Sequence, residues 1–227
     1  MVGNGESAQR EQAIACRSMT QLLDVPLFPL QLVMLPSELV PLHIFEPRYR
    51  EMIAHCVQHD APFCIVLIDE EGMRGVGCLT DSIEVLERLE DGRINLVASG
   101  GEIVRIDRVD PDRHAYLSAE VTVQADDPAA TADPAAVETA LESYRTLLHE
   151  IGAPADASVD EDEPLSYALA ARVEFPLELK QALLESRAEG DRLARVTAAL
   201  EEGRRGLREA TERAQRASTN GKLSHGD

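Results

Sequence analysis

Asp24-Val25-Pro26-Leu27-Phe28-Pro29-Leu30, then Val33-Met34-Leu35-Pro36, then Leu39-Val40-Pro41-Leu42-His43-Ile44-Phe45-Glu46-Pro47-Arg48-Tyr49-Arg50 is the stretch that decides the fold. Three short apolar runs are broken by prolines and lead straight into a helical pattern. Proline cannot donate to a sheet ladder, so Pro26, Pro29, Pro36 and Pro41 confine these runs to sheet edges, strand starts or bulges. Pro47 suits the first turn of a helix, where a missing N–H costs nothing. Tyr49, Met52, Ile53, Cys56 and Val57 then fall at i, i+3, i+4, i+7 and i+8, one apolar face of a helix packed on a sheet and ended by Pro62.

Downstream, Phe63-Cys64-Ile65-Val66-Leu67-Ile68 is a continuous apolar run, the pattern of a central strand buried on both faces. A further strand is expected over Arg74 to Thr80, with Gly75 and Gly77 allowing close backbone approach. Ile83 to Leu89 and Arg93 to Ala98 read as a hairpin about Asp91-Gly92, because Asp-Gly supplies the positive φ a tight turn needs. Gly100-Gly101 marks another turn or bulge before a strand over Glu102 to Val109. Leu117, Ala119, Val121 and Val123 alternate with polar residues, the period of a half-exposed strand. Short, mostly antiparallel strands with one helix inserted early predict a partly closed barrel.

After Asp126-Asp127-Pro128 the period changes. Asp133-Pro134 caps a helix carrying Val137, Leu141, Tyr144, Leu147, Leu148 and Ile151, and Gly152 closes it. An acidic loop with Asp156, Asp160, Glu161, Asp162 and Glu163 precedes a second helix after Pro164. Phe175-Pro176 introduces a short helix over Leu177 to Glu185. Beyond Gly190, the residues Leu193, Val196, Leu200, Gly203, Leu207, Ala210 and Ala214 trace a heptad seam along a last helix, which Gly203 and Gly206 weaken. The expected layout is a flexible lead-in over 1–20, a β-rich lobe over 21–126, a helical lobe over 127–217 and a disordered tail over 218–227.

Pro26-Leu27-Phe28-Pro29-Leu30, Leu35-Pro36 and Pro41-Leu42-His43-Ile44-Phe45-Glu46-Pro47-Arg48-Tyr49 closely resemble the amino-terminal substrate-recognition domain of Lon proteases, above all bacterial proteins that carry this domain alone. The helix over Leu177 to Glu185 extends the resemblance to most of the chain. It implies an α+β fold, a β-rich PUA-like lobe followed by an α-helical bundle lobe, and a module that binds unfolded or partner polypeptides and performs no chemistry. Met34, Leu35, Phe45, Glu46, Arg48 and Tyr49 are the candidate polypeptide-binding residues. The bland alternative has Leu35 and Phe45 filling the barrel and Tyr49 the helix–sheet contact; Glu46 and Arg48 flank the strand-to-helix corner and are expected at the surface.

Composition narrows the partners. With 22 Lys+Arg against 41 Asp+Glu, the formal charge of −19 repels phosphate backbones and acidic membrane surfaces, so neither nucleic acid nor membrane is expected. The arginines from Arg204 to Arg216 alternate with glutamates, as on a salt-bridged exposed helix face. No run approaches a membrane span and residues 1–20 lack a signal-peptide core, which leads to an expectation of the cytoplasm. Cys16, Cys56, Cys64 and Cys78 form no C-x-x-C pair and read as buried thiols.

The catalytic parts of an ATP-dependent protease have no counterpart in the sequence. It contains no G-x-x-x-x-G-K-[ST] phosphate loop and no G-x-S-x-G elbow. Lys180 and Lys222, the only lysines, stand on an amphipathic helix and in a polar tail, not where a desolvated base is expected. His55 and His59 stand one helical turn apart, but Cys56 occupies the place of a zinc protease's glutamate and no third ligand is evident, so they read as surface histidines with no metal or other cofactor. The rival readings are a small metal-dependent hydrolase using His43, His55, His59 or Asp60 between the lobes, and a structural adaptor.

Overall fold

The computed structural model describes residues 21–154 and 163–220. The lead-in with Cys16, the acidic loop from 155 to 162 and residues 221–227 lie outside the described residues.

Seven strands form one sheet: β1 (Gln21–Leu30), β2 (Leu39–Ile44), β3 (Cys64–Asp69), β4 (Gly72–Met73), β5 (Val76–Arg88), β6 (Ile94–Asp110) and β7 (Ser118–Val123). The order β1-β7-β6-β5-β3-β4, with β1 also pairing with β3, curls the sheet partway into a ring. All pairings are antiparallel except β1 with β3, which runs parallel with Leu27 opposite Cys64 and Leu30 opposite Leu67. Successive side chains point to opposite faces, so Leu27 and Cys64 join one apolar cluster while Phe28 and Ile65 join the other.

The sheet has fewer, longer strands than the sequence suggests. The expected strands over Arg74–Thr80 and Ile83–Leu89 are one strand, β5, and those over Arg93–Ala98 and Glu102–Val109 are one strand, β6. Gly100-Gly101 is no turn: it lies inside β6, opposite register shifts in β5 between Cys78 and Ser82. A Cβ on Gly100 would collide with the Leu35 carbonyl oxygen, so the glycine makes room for the loop between β1 and β2. The Asp91-Gly92 hairpin is present, with Gly92 at φ 83° and Leu89 N–H donating to the Arg93 carbonyl at 2.9 Å.

Helix α1 (Pro47–His59) starts at Pro47 and ends where Asp60 turns left-handed, two residues before Pro62. Met52, Ile53 and Cys56 are buried beneath it, whereas Val57 is exposed. Four helices follow: α2 (Pro134–Ile151), α3 (Leu165–Ala170), α4 (Leu177–Glu185) and α5 (Glu189–Asn220). The Asp133 carboxylate caps α2 by accepting from the Ala135 N–H at 2.8 Å, and Gly152 at φ 70° closes it. The seam of α5 divides: Leu193, Val196 and Leu200 are buried, while Gly203, Leu207, Ala210 and Ala214 are exposed.

The lobes share one core, in which Phe28, Met34 and Ile65 of the sheet region join Tyr144, Leu183 and Leu193 of the helices. Two buried cations tie them further. Lys180 on α4 donates to both Glu38 carboxylate oxygens, at 2.5 and 2.7 Å, and Glu38 also accepts from the Leu35 N–H at 2.8 Å. Amphipathic spacing gives no sign that Lys180 is buried, yet only 8% of it is exposed; it serves as a buried ion-pair partner. Arg192 is fully buried, bridging Asp126 and Glu189, donating to Ser166 Oγ at 3.0 Å and lying 4.3 Å from the Tyr167 ring. Burial works against its charge, but the two carboxylates overcome this and hold its pKa above the ordinary arginine value.

Candidate functional site

The proline-broken stretch separates into a buried loop and an exposed corner. The loop after β1 folds inward, leaving Met34 and Leu35 with no exposed surface. Of the six binding candidates these two are core residues, in a loop whose Leu35 N–H and Lys180 partner are both held by Glu38. Phe45 goes the other way and is 61% exposed, so it does not fill the barrel. Its position follows from the period of β2, where Val40 and Ile44 point inward while Pro41 and His43 are exposed, which puts Phe45 outside.

Four of the candidates meet at this corner. Phe45, Glu46, Arg48 and Tyr49 line a groove of about 260 Å³ with Phe28, Pro29, Leu30 and the last residues of β2. Its floor is aromatic: Tyr49, half-buried, packs on Phe28 with ring centroids 4.4 Å apart, and Phe28 meets Phe63 edge-on at 6.1 Å. Arg48 covers the other face of the corner, 4.5 Å from the centre of the Tyr49 ring and paired with Glu46 at 2.8 Å. Burial pushes the Tyr49 phenol above its ordinary pKa, with Arg48 opposing and Glu46 adding to the effect.

The remaining rim is polar. His43 Nδ1 lies 2.6 Å from Asn95 Oδ1, and Asn95 Nδ2 donates to Glu87 at 3.0 Å. Because an amide oxygen only accepts, His43 Nδ1 carries the proton. Beside the groove runs β2, whose one pairing among the described residues is with β6, so its other edge has no strand partner among them. Pro41 and the exposed Leu39 lie on this strand. An edge of this kind tolerates proline and offers the remaining backbone groups to another extended chain.

The histidines of the hydrolase reading do not form one group with the groove. His43 sits against Asn95 and Phe45, while His55 and His59 sit together on α1 and are joined by His114 from the loop between β6 and β7. A second, more apolar cavity of about 590 Å³ lies within the helical lobe, lined by Leu147, Val173, Phe175, Leu179 and Leu200 among others. Its walls are mostly helical, so it offers apolar surface but no strand edge.

Residues 24–202 match the family profile of the ATP-dependent protease La (LON) substrate-binding domain. The chain belongs to the Lon substrate-binding domain family. The match starts at the bulge of β1 and ends within α5, so it takes in the groove, the buried loop and both tying cations. Among solved structures, a Lon N-terminal domain protein from Xanthomonas campestris superposes with a TM-score of 0.61 at 24% identity, covering 79% of this chain and 98% of that one. The N-terminal domain of the Mycobacterium avium complex Lon protease gives 0.59 at 19% identity, covering 80% and 98%. These likenesses establish a shared fold. No curated protein sequence matches the chain.

Proposed function

We propose that the chain is a non-catalytic recognition module that binds unfolded or partly folded polypeptide, in extended form, at the groove between the end of β1 and the β2–α1 corner. The observation that carries this reading is an apolar trough beside a strand edge that has no partner among the described residues. An extended chain needs both: its backbone groups pair with the edge, and its alternate side chains require an apolar surface. At about 260 Å³ the groove is smaller than the roughly 300–1,000 Å³ of small-molecule sites and suits one or two side chains of a longer ligand.

Phe45 supplies exposed aromatic area, the kind of residue that dominates binding energies when a partner covers it. Glu46, Arg48 and His43 give the rim polar groups of both signs, which orient a backbone without demanding a sequence. Membership in a substrate-binding family supports the same role, with hydrolysis and ATP use left to other chains or domains. We further assign the protein to the cytoplasm, on the strength of three free buried cysteines, Cys56, Cys64 and Cys78.

The test is anisotropy with a dye-labelled, carboxymethylated polypeptide that cannot fold. Wild type is expected to bind it, and the double variant Phe45→Asp/Arg48→Glu is expected to bind at least about ten-fold more weakly with an unchanged circular dichroism spectrum. Equal affinity in the two proteins would remove the groove from the account.

A further inference from the structure

The hydrogen-bond phase of β2 narrows the class of polypeptide that its edge can take. Gly100 N–H donates to the Glu38 carbonyl at 2.9 Å, so Glu38 and Gly100 form a directly bonded antiparallel pair at the head of the β2–β6 ladder. From there the register runs without a shift from Leu39 opposite Ser99 to Ile44 opposite Ile94. Bonded and non-bonded pairs alternate along such a ladder. Val40, Leu42 and Ile44 therefore turn their backbone groups toward β6, while Leu39, Pro41 and His43 turn theirs away from it. Pro41 agrees with this phase, because it stands where a missing N–H costs the ladder nothing.

The same three residues are exposed, whereas Val40 and Ile44 are buried. The edge away from β6 thus offers three carbonyls, those of Leu39, Pro41 and His43, but only two N–H groups, those of Leu39 and His43. A strand laid on it donates three N–H groups, all from alternate residues. Its side chains also alternate between two faces, and one set meets the groove, whose apolar walls run from Leu42 and Ile44 to Phe28 and Tyr49. At about 260 Å³ the groove accepts at most two of them. A second copy of this chain fits the edge poorly: each copy carries a formal charge of −19, and β2 laid against β2 lacks a donor at Pro41 on both sides.

We propose that the ligands of this edge are extended segments of other chains, with apolar side chains two residues apart and no proline at the three alternate positions whose N–H groups meet the carbonyls of Leu39, Pro41 and His43. This rests on the groove being the polypeptide site. Proline between those positions is accepted, since its nitrogen faces away from β2. Selection then acts on backbone hydrogen bonding, and Pro41 sets its one gap: the ligand carbonyl beside it finds no donor on the edge.

The probe is a dye-labelled, end-blocked nonapeptide of threonine with leucine at its fourth and sixth positions, titrated into the full chain by anisotropy. Two analogues carry N-methyl groups on alternate amides, one at the third, fifth and seventh residues and the other at the fourth, sixth and eighth. One analogue is expected to bind at least about ten-fold more weakly than the parent and the other no more than about three-fold more weakly. In amide exchange read by NMR, Leu39 and His43 are expected to exchange freely without the peptide and to slow at least about ten-fold with it, while Val40, Leu42 and Ile44 are protected throughout. A peptide that loses affinity in Phe45→Asp/Arg48→Glu, yet is affected equally by the two methylation patterns or leaves Leu39 and His43 unchanged, overturns the inference and leaves the groove standing. Binding that the double variant does not weaken, or no binding at all, removes the groove and the inference together.

Discussion

Leu35 and Phe45 come from the same proline-broken stretch and end on opposite sides of the molecule's surface. Leu35 is fully buried, its N–H held by Glu38 and its carbonyl against Gly100, while Phe45 is 61% exposed over a groove. Both are large apolar residues close to prolines, so residue type does not separate them. Tertiary support does. The loop carrying Leu35 is covered by the helical lobe through Glu38 and Lys180, whereas nothing in the described chain covers Phe45. One segment therefore joins the lobes and the other stays at the surface.

The difference is most sharply broken by placing a charge at each position. Leu35→Asp puts a carboxylate without a partner in the core, and the chain is expected not to fold, read as loss of a cooperative melting transition. Phe45→Asp, on open surface, is expected to alter stability by no more than about 0.5 kcal/mol. A cooperative, wild-type melt for Leu35→Asp would mean that the loop is not core.

Next in size is the ion pair that seals the loop. Lys180→Ala leaves Glu38 without its cation in a mostly buried setting, and a loss of about 3–5 kcal/mol is expected in denaturant unfolding. The same assay distinguishes two glycines: Gly100→Ala is expected to cost about 1–3 kcal/mol because the Leu35 backbone must shift. Gly203→Ala, with open space around it on α5, is expected to gain up to about 1 kcal/mol.

The smallest effect is a rate. Cys78 is fully buried beside the loop, its Sγ 3.6 Å from the Gly101 carbonyl, and burial pushes its thiol up to about 12. Alkylation at pH 8 is therefore expected to leave Cys78 unlabelled in the native wild type, because almost none of it is thiolate. Measurable labelling is expected in Lys180→Ala, where the loop opens more often. Equal protection in the two proteins would show that the ion pair does not hold the loop shut.

Much of this architecture is legible in the sequence where the signal is local. Pro47, Asp133-Pro134, Gly152 and Pro176 mark helix ends close to those observed, and Asp91-Gly92 marks the hairpin. The longer strands are not legible, because Gly100-Gly101 in a bulge looks like Gly-Gly in a turn. The parallel pairing of β1 with β3 leaves no local trace either. Lys180 and Arg192 carry ordinary amphipathic spacing, and their burial depends on Glu38, Asp126 and Glu189, which no periodicity points to. At the site, Glu46 and Arg48 were legible as an exposed corner, whereas the exposure of Phe45 was not, because it follows from the phase of β2. Met34 and Leu35 were not, since only a distant helix decides that they are covered. The approach of His114 to His55 on α1 leaves no trace in the sequence for the same reason.

We propose that the exposed corner, and not the buried loop or the apolar cavity of the helical lobe, receives polypeptide. Hydrogen exchange with and without a saturating unfolded polypeptide measures this directly. New protection is expected in β2 and at the start of α1, with Met34, Leu35 and the helices around Phe175 unchanged. Protection confined to the helical lobe, with β2 exchanging as freely as before, would contradict it.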